Sequence, residues 1–230
     1  MTTTITTSPD LATLRLLQLC SPALPVGAFA YSEGLESAVH EGWIRDEASA
    51  AAWILGRLRR GPARLEAPIG ARLHAAWCAG DAAGVARWNA TLWAFRDSRE
   101  LREGDRDMGQ ALARLLGSLG LAEAGPWRTR ADASLVTLFM LAAARWHIPA
   151  PAALTGLLWV WLEGQVTAAV KLVPLGQTAG QKLLARAAAE IPMLCERALA
   201  LDDDAIGALS PGAALAAARH EPLDVRLYRS

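Results

Sequence analysis

Apolar residues along this chain recur at spacings of three and four and never alternate with polar ones over the length of a strand. Alanine makes up about a fifth of the residues, whereas valine, isoleucine and threonine are sparse, so local preference and periodicity both favour helix. The pattern predicts an all-α fold, a single-domain bundle of about eight to ten helices with two apolar central helices. Those two are read at roughly Ala133 to Trp146 and Pro151 to Val173, and a helix apolar all round must be enclosed by others. Ser8 with Pro9, Asp46, Asp81 and Asp97 mark helix starts, the last opening a long helix that reaches about Leu119. Gly61-Pro62, Gly80, Gly120, Pro149 with Pro151, and Pro174 mark stops. Within the long helix, Leu101, Met108, Leu112, Leu115 and Leu119 draw one apolar stripe opposite a charged face. Residues 1–8 are expected as a flexible N-terminus, 9–218 as one helical domain and 219–230 as a C-terminal docking tail.

Composition narrows the function classes. Lys+Arg and Asp+Glu balance at 23 each, so no net field exists to hold a nucleic-acid backbone or an anionic membrane surface. The first residues lack the basic and apolar regions of a secretory signal, and the run Leu154 to Val173 is interrupted by Glu163, Gln165 and Lys171, which argues against a membrane span. Three widely separated cysteines, Cys20, Cys78 and Cys195, fit reduced thiols in the cytoplasm.

The candidates for chemistry are weak. Gly176 to Lys182, GQTAGQK, has a phosphate loop's residue types but the wrong spacing, and no strand precedes it. In the acidic run Glu103 to Asp107, Asp105 and Asp107 lie on different sides of a helix, and a solvated charged face is the better reading. Asp202, Asp203 and Asp204 end one helix or cap the next. His74 and Cys78 have helical ligand spacing, but two ligands do not close a metal site and core packing of the thiol is favoured. No nucleophile with a base is evident, so a non-enzyme without cofactor or metal is expected.

Four segments are not demanded by helix packing: LPVGAFAYSEGLESAV at 24–39, SRELREGDRDMG at 98–109, VKLVPLGQTAGQKLL at 170–184 and ARHEPLDVRLYRS at 218–230. In order and spacing they closely resemble the urease accessory protein UreF family, from about Leu14 to Ser230. The resemblance implies an all-α, non-catalytic factor for nickel insertion into apo-urease. Similar proteins form a homodimer, join UreD (also called UreH) and recruit the GTPase UreG, whose GTP hydrolysis is tied to nickel delivery. The chain departs from the family after His220-Glu221, where Pro222, Leu223, Asp224 and Val225 replace a Thr-Gln-Tyr-Ser type of run.

Candidate contact residues follow. Pro25 and Gly27 force an extended turn; Tyr31, Glu33 and Glu36 are expected to meet a partner, whereas Phe29 is divided equally between contact and pinning the loop. Lys171 ends an apolar helix, and the resemblance places it at the surface that meets UreG. Beyond it Pro174, Gly176 and Gln177 expose backbone groups. In the tail, Arg219, His220, Glu221, Arg226, Tyr228 and Arg229 form an association segment rich in guanidinium forks. Arg99 with Glu103 and Glu103 with Arg106 can pair along a helix surface, while Gly104 weakens that helix by about 1 kcal/mol and asks for a packing reason. From the residues alone, an all-α enzyme with helix-borne carboxylates on a metal and a plain helical dimerisation module stay open.

Overall fold

The computed structural model describes residues 9–207 and 210–229; the expected flexible segment 1–8 lies outside them. Among the described residues there are eleven α-helices and no strand, one helix more than the upper expectation. They are α1 (Pro9–Leu19), α2 (Leu35–His40), α3 (Glu47–Arg60), α4 (Glu66–Ala79), α5 (Ala82–Ala94), α6 (Arg99–Ser118), α7 (Leu135–Arg145), α8 (Ala150–Leu172), α9 (Gln177–Ala188), α10 (Ile191–Ala200) and α11 (Pro211–His220). Three 3-10 turns, Ala28–Ala30, Ala122–Arg128 and Asp203–Ala205, bridge neighbouring helices.

The two apolar helices form the centre. Residues Val136 to Ala144 of α7 are buried without a break, and α8 packs against α1, α2, α3, α4, α7, α9 and α10. By length and composition α8 could cross a membrane, but 56% of its most apolar window is buried inside the bundle, as in a core helix. Asp46 caps α3 in a capping box with Ser49, and Asp81 accepts from the Gly84 N–H at the start of α5. The long helix is capped by Ser98, one position beyond Asp97; either side chain can accept from an N–H of the first turn.

Two readings of α6 are corrected. Its buried face is Glu100, Gly104, Asp105, Gly109, Leu112, Ala113 and Leu116, while Leu101, Met108 and Leu115 are half-buried and Leu119 is exposed. The backbone comes too close for leucines on that side: a Cβ on Gly109 would lie 2.5 Å from the Ala133 carbonyl oxygen, and one on Gly104 would lie 2.9 Å from the Tyr31 ring. The acidic run is not wholly solvated either. Asp105 is buried, accepts from the Leu135 N–H at 2.8 Å and the Ser134 hydroxyl at 3.2 Å, and so holds the start of α7. Arg96 joins Asp105 at 3.0 Å and Glu66 at 2.6 Å; burial opposes its charge, and the two carboxylates outweigh it.

The residual candidates also have packing explanations. A Cβ on Gly180 in GQTAGQK would meet a Val170 methyl at 2.5 Å, so that glycine seats α9 against α8. Cys78 is exposed rather than packed in the core, with its Sγ 3.7 Å from His74 Nδ1. Asp203 pairs with Arg72 at 2.9 Å and with Arg87 at 3.3 Å. Among the described residues no three His, Cys, Asp or Glu side chains converge to hold an ion. Of the nine tryptophans only Trp43 is exposed, so one copy of the chain shelters nearly all of them.

Candidate partner-binding site

The sequence candidates fall into two groups with opposite surroundings. The first is built where the 24–39 segment, the start of α6 and the C-terminal tail meet. Gly27 and Gly34 adopt φ of 77° and 83°, left-handed values that turn the chain around the 3-10 turn and into α2. Gly34 also admits α11: a Cβ there would lie 2.9 Å from the Ala217 nitrogen. Glu33 is held at a φ of 52° without being glycine. Its carboxylate accepts from Arg57 at 3.0 Å and from the Trp161 indole N–H at 2.9 Å, and Arg57 donates to its carbonyl at 2.9 Å. The loop is therefore pinned at Glu33 by one ion pair to Arg57 and by hydrogen bonds at both its carboxylate and its carbonyl.

Glu36 holds the tail. Its carboxylate accepts from the Leu227 N–H at 2.7 Å, the Tyr228 N–H at 2.9 Å and His220 Nε2 at 3.0 Å. Burial pushes this carboxyl up, but the hydrogen bonds from Leu227, His220 and Tyr228 win and hold it below its ordinary value. The other nitrogen of His220, a fully buried side chain, lies 2.7 Å from Glu100, whose second oxygen accepts from Arg226 at 2.5 Å. Both ring nitrogens of His220 thus face carboxylate oxygens. Around this centre Arg219 reaches Glu41 at 2.5 Å and lies over Trp43, Glu221 accepts from the Arg99 N–H at 3.1 Å, and the Arg229 N–H donates to the Ala30 carbonyl at 2.8 Å. Tyr228 is buried, and burial together with the nearby Glu36 charge raises its phenol.

SRELRE finds its place in the same junction. Arg99 faces Glu221 and Arg106 pairs with Asp107 at 2.9 Å, in place of the expected pairs through Glu103. Gly104 receives Tyr31, which is half-buried against it. Phe29 is the exception, 73% exposed on the 3-10 turn; it pins nothing. Tyr31, expected to meet a partner, is packed, and Phe29, divided between contact and pinning, is exposed, since a segment without a period gives no face to assign.

The second group is open. Lys171 lies in the last turn of α8, exposed and with no hydrogen bond or ion pair among the described residues. Its place complements the helix C-terminus, where the carbonyls carry partial negative charge. Val173 leaves the helix with extended dihedrals, and Pro174, Gly176 and Gln177 are exposed on the corner before α9. A cation, a rigid turn and uncovered backbone are thus offered side by side.

Comparison with known proteins decides the family. The UreF family model matches residues 44–188. The chain belongs to the UreF family. It is 50% identical over 224 residues to the urease accessory protein UreF of Alkalilimnicola ehrlichii, covering 97% of this chain and 98% of that relative. The protein of the same name from Azoarcus sp. (strain BH72) is 50% identical over 222 residues, covering 94% and 95%. That of Marinobacter nauticus is 44% identical over 234 residues and spans the whole of both chains. These relatives are named accessory proteins, and the fold described above is that of a helical member of such a family.

Proposed function

We propose that this chain is a non-catalytic assembly factor in the maturation of urease. It joins UreD (UreH), recruits the GTPase UreG and holds them against apo-urease while nickel is inserted, coupling the partner's GTP hydrolysis to delivery. It works in the cytoplasm as a homodimer and needs no cofactor of its own. The observation that carries the reading is the near-complete match to relatives named urease accessory protein UreF. Supporting it, the Lys171 to Gln177 corner leaves a cation and a turn uncovered, as a docking surface requires, and the cysteines are free thiols.

Two surfaces divide the work. The Lys171, Pro174, Gly176 and Gln177 corner meets UreG directly. Tyr31, Glu33, Glu36, Arg219, His220, Glu221, Arg226, Tyr228 and Arg229 act as one block: their mutual bonds fix the shape of the face that a partner meets, with Phe29 projecting from it. The test is co-purification from cells expressing tagged UreD and UreG with and without GTP, alongside urease activity in a strain lacking this chain. Stable co-purification and inactive urease in the deletion strain are expected. Normal urease maturation without the chain would overturn the assignment.

A further inference from the structure

A cavity of about 230 Å³ lies between the 19–33 segment, the first half of α6 and the middle of α8. Its walls are mostly apolar, with Leu24, Val26, Leu101, Met108 and Leu157 among them. The polar groups left unmet there are all acceptors. Gln165 is 2% exposed; its Nε2 donates to the Ser32 carbonyl at 3.2 Å, while its Oε1 is buried without a hydrogen-bond partner. Glu66 gives one oxygen to Arg96 and leaves Oε2 buried and unpartnered. Glu163, half-buried and also lining the cavity, makes no hydrogen bond or ion pair among the described residues. Burial raises its carboxyl, and burial together with the Glu163 charge pushes the neighbouring Cys20 thiol up to about 11.

An unpaired buried acceptor costs about 1–3 kcal/mol, and that cost is relieved when an N–H donor arrives. Two buried acceptors, Gln165 Oε1 and Glu66 Oε2, in an apolar chamber suit the N–H groups of an ammonium on a methylene stem, which can lie along the walls while its head is paired. The volume falls below the roughly 300–1,000 Å³ of small-molecule sites, which is the scale of one anchoring side chain. The exposed Phe29 also lines the cavity, and supplies apolar contact for a chain running across it.

We propose that this cavity is an anchor pocket for one lysine side chain carried on an extended apolar segment of a partner protein, its ammonium received by Gln165 Oε1 and Glu66 Oε2. The pocket draws on the assembly role only for the existence of a partner. The test needs no other maturation protein, so its failure leaves that role standing.

The purified full chain is titrated calorimetrically with acetyl-Ala-Val-Lys-Val-Ala-amide and with the same peptide carrying norleucine in place of lysine. The lysine peptide is expected to bind at least about tenfold more tightly, the discrimination of a site whose acceptors would otherwise stay unpaired. Gln165→Leu reduces that preference to near unity. Gly164→Leu fills the mouth from a position where an added Cβ meets nothing within 4 Å, so it leaves the melting temperature intact and abolishes peptide binding. Equal binding of both peptides, no binding of either, or undiminished binding by Gly164→Leu would overturn the proposal. So would n-butylamine binding as tightly as the lysine peptide, which would make the ligand a small amine.

Discussion

The junction around Glu36 and the corner at Lys171 carry the same marks in sequence, prolines and glycines beside charged residues at a helix end, yet the chain treats them in opposite ways. At the junction nearly every charge is consumed internally: Glu36, Glu100 and Glu33 each accept from two or more groups. At the corner, Lys171 makes no such bond among the described residues. The difference lies in what reaches each place. The tail returns to cover the first, whereas no side chain among the described residues bonds to Lys171 at the second. Irregular, charged joints are therefore of two kinds, those that close the fold and those left uncovered.

Several substitutions would break or sharpen that contrast. The largest effect is expected at Glu36→Ala, which strips one acceptor from two backbone N–H groups and a buried histidine; a loss of about 3 kcal/mol is the scale for a partner removed from such a set. Chemical denaturation would read it, and limited proteolysis should cut after residue 220 in the variant before the parent. Gly104→Leu should cost about 2 kcal/mol, since an overpacked contact must drive Tyr31 off the helix and the gain in helix preference offsets part of it. Restored packing in the double variant with Tyr31→Ala would show the coupling.

Acid should separate the two regions without mutation. Glu36 is held below its ordinary value of 4.5, so its contribution is fully present above that value and is lost as pH falls through its lower, folded-state value. Tail protection from proteolysis should decline below about pH 4.5 in the parent, and earlier than global helicity does. The same protection persisting until the whole chain unfolds would join tail and core into one unit.

Much of this fold was legible in the sequence and the junction was not. The central helices announced themselves because α7 and α8 are apolar on all sides, a pattern that survives any error of phase. The caps at Asp46 and Asp81 were readable because capping acts within three residues. On α6 the periodicity misled, since it registers hydrophobicity and not smallness: the closest-packed positions are Gly104 and Gly109, and the buried carboxylates are satisfied by Ser134, Arg96, His220 and Arg226. The Glu36 to His220 bond spans 184 positions, and nothing local to either residue encodes it. Lys171 came forward through the family resemblance, and its place in the last turn of a long apolar helix before a proline agrees with the exposed position it takes.

The smallest effect on stability and the most decisive on function are expected at one position. Lys171→Ala should stay within about 0.5 kcal/mol of the parent in denaturation, as an exposed side chain without partners does. In a strain whose own copy is deleted, the variant should fail to recruit UreG and leave urease largely inactive while melting like the parent. Urease activity restored to the parental level by Lys171→Ala would contradict the account of that corner as the docking surface.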